Sequence, residues 1–171
     1  MPKVVLLAAI GLVGLAVLAA LWRKLTRGSV YYLRPMLFTP AERSFLGVLE
    51  RELPPGVRVF GKVRLADIFG VKTGRRHSEW QRARNRIDRK HVDFLLVRAG
   101  DFAPLAGIEL DDRSHEAEDR RQRDALVDAV FSGAGLPLLH VAVQKRYHPA
   151  ELRAQIAALV AERKNVASDR G

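Results

Sequence analysis

The segment HVDFLLVRAGDFAPLAGIELDDRSH, residues 91–115, decides the fold of this chain. Residues 92–97 are apolar except for Asp93, and residues 105–110 are apolar up to Glu109, which predicts two buried strands. The intervening Ala-Gly-Asp sequence is typical of a tight turn. Carboxylates at the ends of buried strands are costly unless a metal ion, a hydrogen-bond network or a cation compensates them.

Three carboxylates are expected to converge where these strands end. Strand residues two apart point to the same face, so Glu109 and Asp111 project together, and Asp93 joins them if the strands pair. Because three oxygen ligands suit a hard divalent cation, the sequence predicts a Mg²⁺ or Mn²⁺ site at these residues. His115 follows closely and is a candidate general base or ligand, with a purely structural histidine as the alternative.

The motifs VDF, IELDD-x-SH, DRR-x-RD and GLPLLHV resemble those of a bacterial domain-of-unknown-function family, number 2726, over residues 38–159. That family is similar to the PD-(D/E)xK, or restriction-endonuclease-like, nuclease superfamily. The superfamily pattern, an Asp and then Glu-x-Lys on the next strand, falls here on Asp93, Glu109 and position 111. The resemblance implies that these positions are catalytic, but position 111 is Asp111 and not lysine.

The missing lysine leaves the activity open, because in the superfamily it helps to orient the attacking water and to stabilise developing charge. Lys90 or His115 would substitute for it in an active enzyme. The alternative is a site that binds metal or a partner without cutting. The resemblance also suggests Asp119, Arg123 and Asp124 as charged partners that support the carboxylates, and ordinary ion pairing on a helix surface is the alternative.

The N-terminal segment Val4–Trp22 carries no charge and is followed by Arg23, Lys24 and Arg27. At about 1.5 Å per residue it spans roughly 28 Å, close to the hydrocarbon thickness of a bilayer. The positive charges that follow predict a single-pass anchor in the inner, cytoplasmic membrane, with the C-terminal domain in the cytoplasm. A cleaved signal peptide is the alternative, although the apolar run is longer than is usual for one.

A dense basic patch precedes the acidic strands. Its members are Arg75, Arg76, Arg82, Arg84, Arg86 and Arg89. Arginine bonds phosphate bidentately, so the patch predicts contacts with the backbone of DNA or RNA. The formal net charge of +10 agrees with an anionic partner. A solvated helix face and adhesion to anionic lipid are the alternatives.

The order of elements predicts an α/β fold. Helix, strand, helix, strand, strand, helix, strand and helix follow the anchor, which indicates a three-layer restriction-endonuclease-like domain with a central mixed sheet. The first of these helices begins with a capping box of Thr39 and Glu42. A helical glutamate sometimes joins the metal site in the superfamily, which makes Glu50 a candidate and a solvated acid the alternative. The expected divisions are an anchor with basic flank at 1–27, a linker at 28–37, the domain at 38–163 and a flexible tail at 164–171.

Two functions remain in competition. The first is a membrane-anchored, divalent-metal-dependent nuclease that hydrolyses phosphodiester bonds. The second is a non-catalytic module that binds nucleic acid or protein with a degenerate nuclease-like site. The sequence shows no pattern for a nucleotide cofactor or a serine hydrolase, and the absence of cysteine excludes disulfides and cysteine-based zinc sites.

Overall fold

The computed structural model describes residues 2–26, 30–72, 74, 76–111 and 117–168. Side chains are described for these residues except 2, 4, 6, 25–26, 117–124 and 164–168. The chain divides into two compact units, residues 1–37 and 38–171.

The first unit contains helix α1 (Pro2–Thr26). Its segment Leu7–Lys24 is long and apolar enough to cross a membrane, and none of this window is buried within the protein. The predicted apolar N-terminal helix is therefore confirmed. Its length and composition are those of a single-pass anchor and also those of a signal sequence.

The second unit is an α/β domain with a four-stranded mixed sheet. Its elements are α2 (Pro40–Glu52), β1 (Val57–Arg64), α3 (Leu65–Ile68), α4 (His77–Asp88), β2 (His91–Arg98), β3 (Pro104–Asp111), α5 (Ala117–Ala134), β4 (Leu138–Ala142) and α6 (Pro149–Ser168). The strands lie in the order β1-β2-β3-β4. The first two pairs are antiparallel and β3 pairs with β4 in parallel, so the predicted mixed sheet is confirmed.

Helices α2 and α4 begin in different ways. The Thr39 hydroxyl accepts the N–H of Glu42, and the Glu42 carboxylate accepts the N–H of Thr39, which confirms the predicted capping box. Helix α4 begins at His77, directly after the N-cap residue Arg76. Its first turn is closed by the Arg76 carbonyl, which accepts from Glu79 and Trp80, and no side chain caps it.

Two apolar clusters lie on opposite faces of the sheet. Strand β2 contributes Phe94 and Leu96 to the first and Leu95 and Val97 to the second, as the alternation of strand side chains requires. Helices α2 and α6 complete the first cluster, and α3, α4 and α5 complete the second. Because a sheet covered on both faces makes three layers, the predicted layering agrees with this core.

Two glycines let aromatic rings approach the sheet closely, one on each face. A Cβ at Gly61 would overlap the ring of Phe38, and a Cβ at Gly107 would overlap the ring of Phe131. Any side chain at either position would therefore push a ring out of the core.

The regular alternation of β1 and β2 fails at one point. Val59 and Phe94 contact the first cluster, so Val63 and Val92 would be expected on the same face, yet both belong to the second. Lys62 lies at this point with φ of 56°, in the left-handed region that non-glycine residues rarely adopt. The reversal directs the Lys62 side chain toward α2.

Candidate functional site

A lysine lies between two carboxylates at the point where the side-chain alternation of β1 and β2 fails. The Lys62 ammonium donates to Glu42 Oε1 at 2.5 Å and to Asp93 Oδ1 at 2.9 Å. The Glu42 and Asp93 side chains are only 11% and 18% exposed, and that of Lys62 is 32% exposed. We call these three residues the lysine cluster.

Each carboxylate of the lysine cluster is fixed by a second bond. Glu42 is held in the first turn of α2 by its bond from the N–H of Thr39. Asp93 Oδ2 accepts the N–H of Leu110 at 3.0 Å. The described pairing of β2 with β3 ends at Phe94 and Ile108, so the Asp93 carboxylate replaces the next backbone acceptor where the strands part.

The Lys62 ammonium is charged at neutral pH. Partial burial lowers its pKa, but the hydrogen bonds and charges of Glu42 and Asp93 outweigh burial and raise the pKa above its ordinary value. Lys62 can therefore act as a cation and a hydrogen-bond donor, and it is unsuited to act as a base.

A histidine lies between two carboxylates near the end of β3. His140 Nδ1 is 3.2 Å from Asp111 Oδ1, and His140 Nε2 is 2.9 Å from Asp128 Oδ1. We call these residues the histidine cluster. Its side chains are 36%, 49% and 54% exposed for His140, Asp111 and Asp128. A cavity of about 600 Å³ opens beside His140 and Asp128, so solvent reaches them.

The parallel register of β3 and β4 explains the histidine cluster, because it places His140 opposite Glu109, which precedes Asp111 by two residues on the same strand. Partial burial lowers the pKa of His140, but its bonds with Asp111 and Asp128 outweigh burial and raise the pKa above its ordinary value. Both ring nitrogens face carboxylate oxygens, and only the imidazolium can donate from both. This histidine therefore lies on the edge strand β4 with both of its ring nitrogens satisfied by carboxylates.

The three predicted metal ligands enter different local networks. Asp93 belongs to the lysine cluster, Asp111 belongs to the histidine cluster, and Glu109 lies half-buried on β3. Within residues 2–26, 30–72, 74, 76–111 and 117–168, no group of three or more histidine, aspartate and glutamate side chains is arranged to hold a metal ion. The carboxylates of Asp93, Glu109 and Asp111 nevertheless offer oxygen atoms of the kind that Mg²⁺ and Mn²⁺ prefer as ligands. Metal binding by these residues stays a prediction.

The cation beside Asp93 comes from a strand that the sequence did not single out. Lys62 on β1 occupies this position, and Lys90 makes no ion pair with any residue in the described part of the chain. His115 lies outside the described residues. One feature of the sequence could indicate Lys62, because it is a charged residue beside Gly61 near the end of a mostly apolar strand.

The acid of α2 that reaches the site is Glu42 and not Glu50, which is exposed. Helical spacing explains the choice, because Glu42 precedes Phe45 by three residues and Leu49 by seven, and both side chains are buried. This spacing was available in the sequence. The capping box alone, however, accounts for Glu42 in the sequence and does not indicate that it contacts the site.

The arginines of the predicted basic patch are partly exposed. Arg82, Arg86 and Arg89 are exposed at i, i+4 and i+7, so they form one stripe that begins on α4 and ends just after it. Arg76 is exposed where α4 begins, whereas Arg84 is half-buried and lies 3.5 Å from the carboxylate of Asp88. Arg75 lies outside the described residues.

The supporting charges predicted after β3 are not described at the level of side chains. Residues 119, 123 and 124 belong to α5, whose backbone begins at Ala117. The side chains of Asp119, Arg123 and Asp124 lie outside the described part, so their role near the carboxylates stays a prediction.

Comparison with known proteins gives a family and no described relative. The family model "Protein of unknown function (DUF2726)" matches residues 34–159. No curated protein and no solved structure matched the chain.

Proposed function

The chain belongs to the DUF2726 family, and we propose that it is a membrane-anchored nuclease with a restriction-endonuclease-like domain. It would hydrolyse phosphodiester bonds with Mg²⁺ or Mn²⁺. One observation carries the proposal. Lys62 brings an ammonium group from β1 to within 2.9 Å of Asp93, which supplies a cation that position 111 lacks. The mixed sheet, flanked by helices on both faces, agrees with the proposed fold.

Asp93, Glu109 and Asp111 are the residues that would hold the ion. A bound divalent ion would lower the pKa of a water molecule and neutralise charge on the scissile phosphate. Lys62 keeps its proton because its pKa is raised, so it would stabilise the negative charge that develops on the phosphate. Glu42 would act as a positioning residue, because its carboxylate holds the ammonium beside Asp93.

The exposed stripe of Arg82, Arg86 and Arg89 would seat the phosphate backbone of DNA or RNA near this site. Helix α1 would anchor the protein in the inner membrane, with the second unit in the cytoplasm. The three basic residues that follow its apolar segment support this orientation.

The test uses the full chain in lipid nanodiscs with labelled single- and double-stranded DNA and RNA, in Mn²⁺ and in EDTA. Asp93→Ala, Glu109→Ala and Lys62→Ala are each expected to slow metal-dependent cleavage by about 100-fold or more, as removal of one electrostatic contact to a transition state does. Glu151→Ala in the first turn of α6 and Lys72→Ala on the surface are matched controls that should cleave normally. Cleavage that persists in Asp93→Ala would overturn the proposal.

A second function has one observation in its favour. Both oxygens of Asp93 already accept hydrogen bonds, from Lys62 and from the N–H of Leu110. A site satisfied in this way suits a non-catalytic module that binds nucleic acid or protein at the membrane. Binding of an oligonucleotide without cleavage of any substrate in Mn²⁺ or Mg²⁺ would favour this function over the nuclease.

A further inference from the structure

Two phenylalanines and an arginine form an exposed group at the β1 edge of the sheet. The side chains of Phe60 and Phe102 are 45% and 51% exposed, and their ring centroids are 6.2 Å apart. The guanidinium carbon of Arg58 lies 5.6 Å from the centroid of Phe102. We call these three residues the aromatic platform. In the described part of residues 38–171, Phe60 and Phe102 are the exposed large apolar side chains.

The backbone at Phe102 is unfavourable for a bulky residue. Its φ is 59°, in the left-handed region where the Cβ atom crowds the backbone and where glycine is the usual residue. The turn has a glycine at Gly100, yet Phe102 takes the strained position. A large ring is thus kept in solvent at a position where the fold itself favours glycine, which points to a role for the ring outside the fold.

The chemistry of the aromatic platform suits an unpaired base. Flat aromatic rings bind bases by stacking without regard to sequence, and neighbouring arginines attract the backbone. Arg58 supplies such a cation, and the chain as a whole carries a net charge of +10, which favours a polyanion over a cationic or neutral partner. A duplex keeps its bases stacked on one another, so the platform would distinguish single strands from duplexes.

The aromatic platform and the lysine cluster share strand β1 but lie on opposite faces of it. Phe60 lies opposite Leu95 of the second cluster, whereas the reversal at Lys62 turns its ammonium toward α2 on the first-cluster face. Because β1 is an edge strand of the sheet, a nucleic-acid strand whose base stacks on Phe60 or Phe102 would reach the Lys62 ammonium around that edge.

We propose that the aromatic platform stacks unpaired bases, and that the substrate of the site is single-stranded nucleic acid. The role of this single strand as a substrate rests on the proposed nuclease function. The binding step stands on the platform alone.

The test measures binding without cleavage, in EDTA, with the full chain in nanodiscs of neutral lipid. The probes are a fluorescent oligothymidylate of about 16 nucleotides and an abasic strand of the same length. Phe102→Gly and Phe60→Ser should each weaken binding of the oligothymidylate by about 5- to 150-fold. Binding of the abasic strand should not change, because it offers phosphates and no bases.

Two controls separate the role of the rings from charge and from folding. Arg58→Ala is compared with Arg51→Ala, an exposed arginine of α2, and should weaken oligothymidylate binding more. Phe102→Gly should unfold at an equal or higher temperature than the natural chain, because glycine relieves the left-handed backbone. Weaker binding by a more stable variant cannot come from loss of structure.

Several outcomes would overturn the inference. Equal losses on both probes would show that the rings do not contact bases. Unchanged oligothymidylate binding would also overturn it, including the case in which the same variants lose binding to vesicles of anionic lipid. The proposed nuclease can fail separately, because a chain that cleaves nothing in Mn²⁺ but loses base-dependent binding in Phe102→Gly would keep the aromatic platform and lose only the catalysis.

Discussion

The lysine cluster and the histidine cluster have the same plan and different surroundings. In each, one nitrogen group lies between two carboxylates from different elements. The carboxylates of the lysine cluster are at most 18% exposed, whereas those of the histidine cluster are about half exposed. The two clusters therefore have the same pattern of hydrogen bonds and differ in how deeply their side chains are buried.

The difference in burial decides what each cation does for the fold. Removing one partner from a buried ion pair leaves the other charge in the protein interior without water or a counterion, which lowers the free energy of unfolding. Water screens an exposed pair and compensates its partners when the pair is broken. The lysine cluster should therefore be a permanent part of the folded state, whereas the histidine cluster should contribute only while the imidazole is protonated.

The largest effect is expected from Lys62→Met, which keeps the length of the side chain and removes its charge. Glu42 and Asp93 would then face each other without a cation, and we expect the free energy of unfolding to fall by about 2–3 kcal/mol. Urea unfolding of the full chain in nanodiscs, followed by Trp80 fluorescence in a Trp22→Phe background, measures the change. Lys72→Met on the surface is the matched control, and an equally small effect in both variants would remove the distinction between the clusters.

A smaller effect is expected from Glu42→Gln. Asp93 still compensates Lys62 in this variant, and the single amide oxygen keeps one of the two bonds, from Thr39 or from Lys62, so we expect a loss of about 1 kcal/mol. Glu52→Gln is the matched comparison, because Glu52 is the other buried acid of α2 and pairs with an exposed arginine, Arg153. Unfolding in urea should show the smaller loss for Glu52→Gln, and the reverse order would mean that burial of the carboxylate alone sets the cost.

The smallest effect is expected from His140→Gln, and it should depend on pH. Because the folded state raises the pKa of His140, its stabilisation is fully present below the unfolded pKa near 6.5 and is lost as pH rises through the folded pKa. We expect a cost of about 0.5–1 kcal/mol near pH 5.5 that shrinks as the pH rises through the folded pKa. The free energy of unfolding of the natural chain and of His140→Gln is measured in EDTA at a series of pH values from about 5.5 upward. A cost that stays constant with pH would show that the imidazole acts by packing and not by charge.

Local signals in the sequence were sufficient for most of the fold. The capping box at Thr39, the apolar strands on either side of the Ala-Gly-Asp turn and the long apolar helix α1 are all found where they were expected. Each depends on residues close together in the chain, so spacing and residue type are enough to indicate it.

The clusters could be predicted only in part. Asp93 was identified because a single acid in an apolar strand is conspicuous, and Asp111 because it ends the next strand. Their partners are harder to find, since the capping box accounts for Glu42, little in the sequence singles out Lys62, and His140 lies within an apolar strand. No local pattern indicates that these side chains meet.

The sequence by itself determined which segments form helices and strands, which acids end the strands and which N-terminal segment can cross a membrane. Tertiary structure decided which cation meets which carboxylate, because Lys62 lies 20 residues from Glu42 and 31 residues from Asp93 along the chain. The left-handed backbone at Lys62 reverses the alternation of β1 and turns the ammonium toward α2. That reversal is set by packing on both faces of the sheet, and alternation read from the sequence does not predict it.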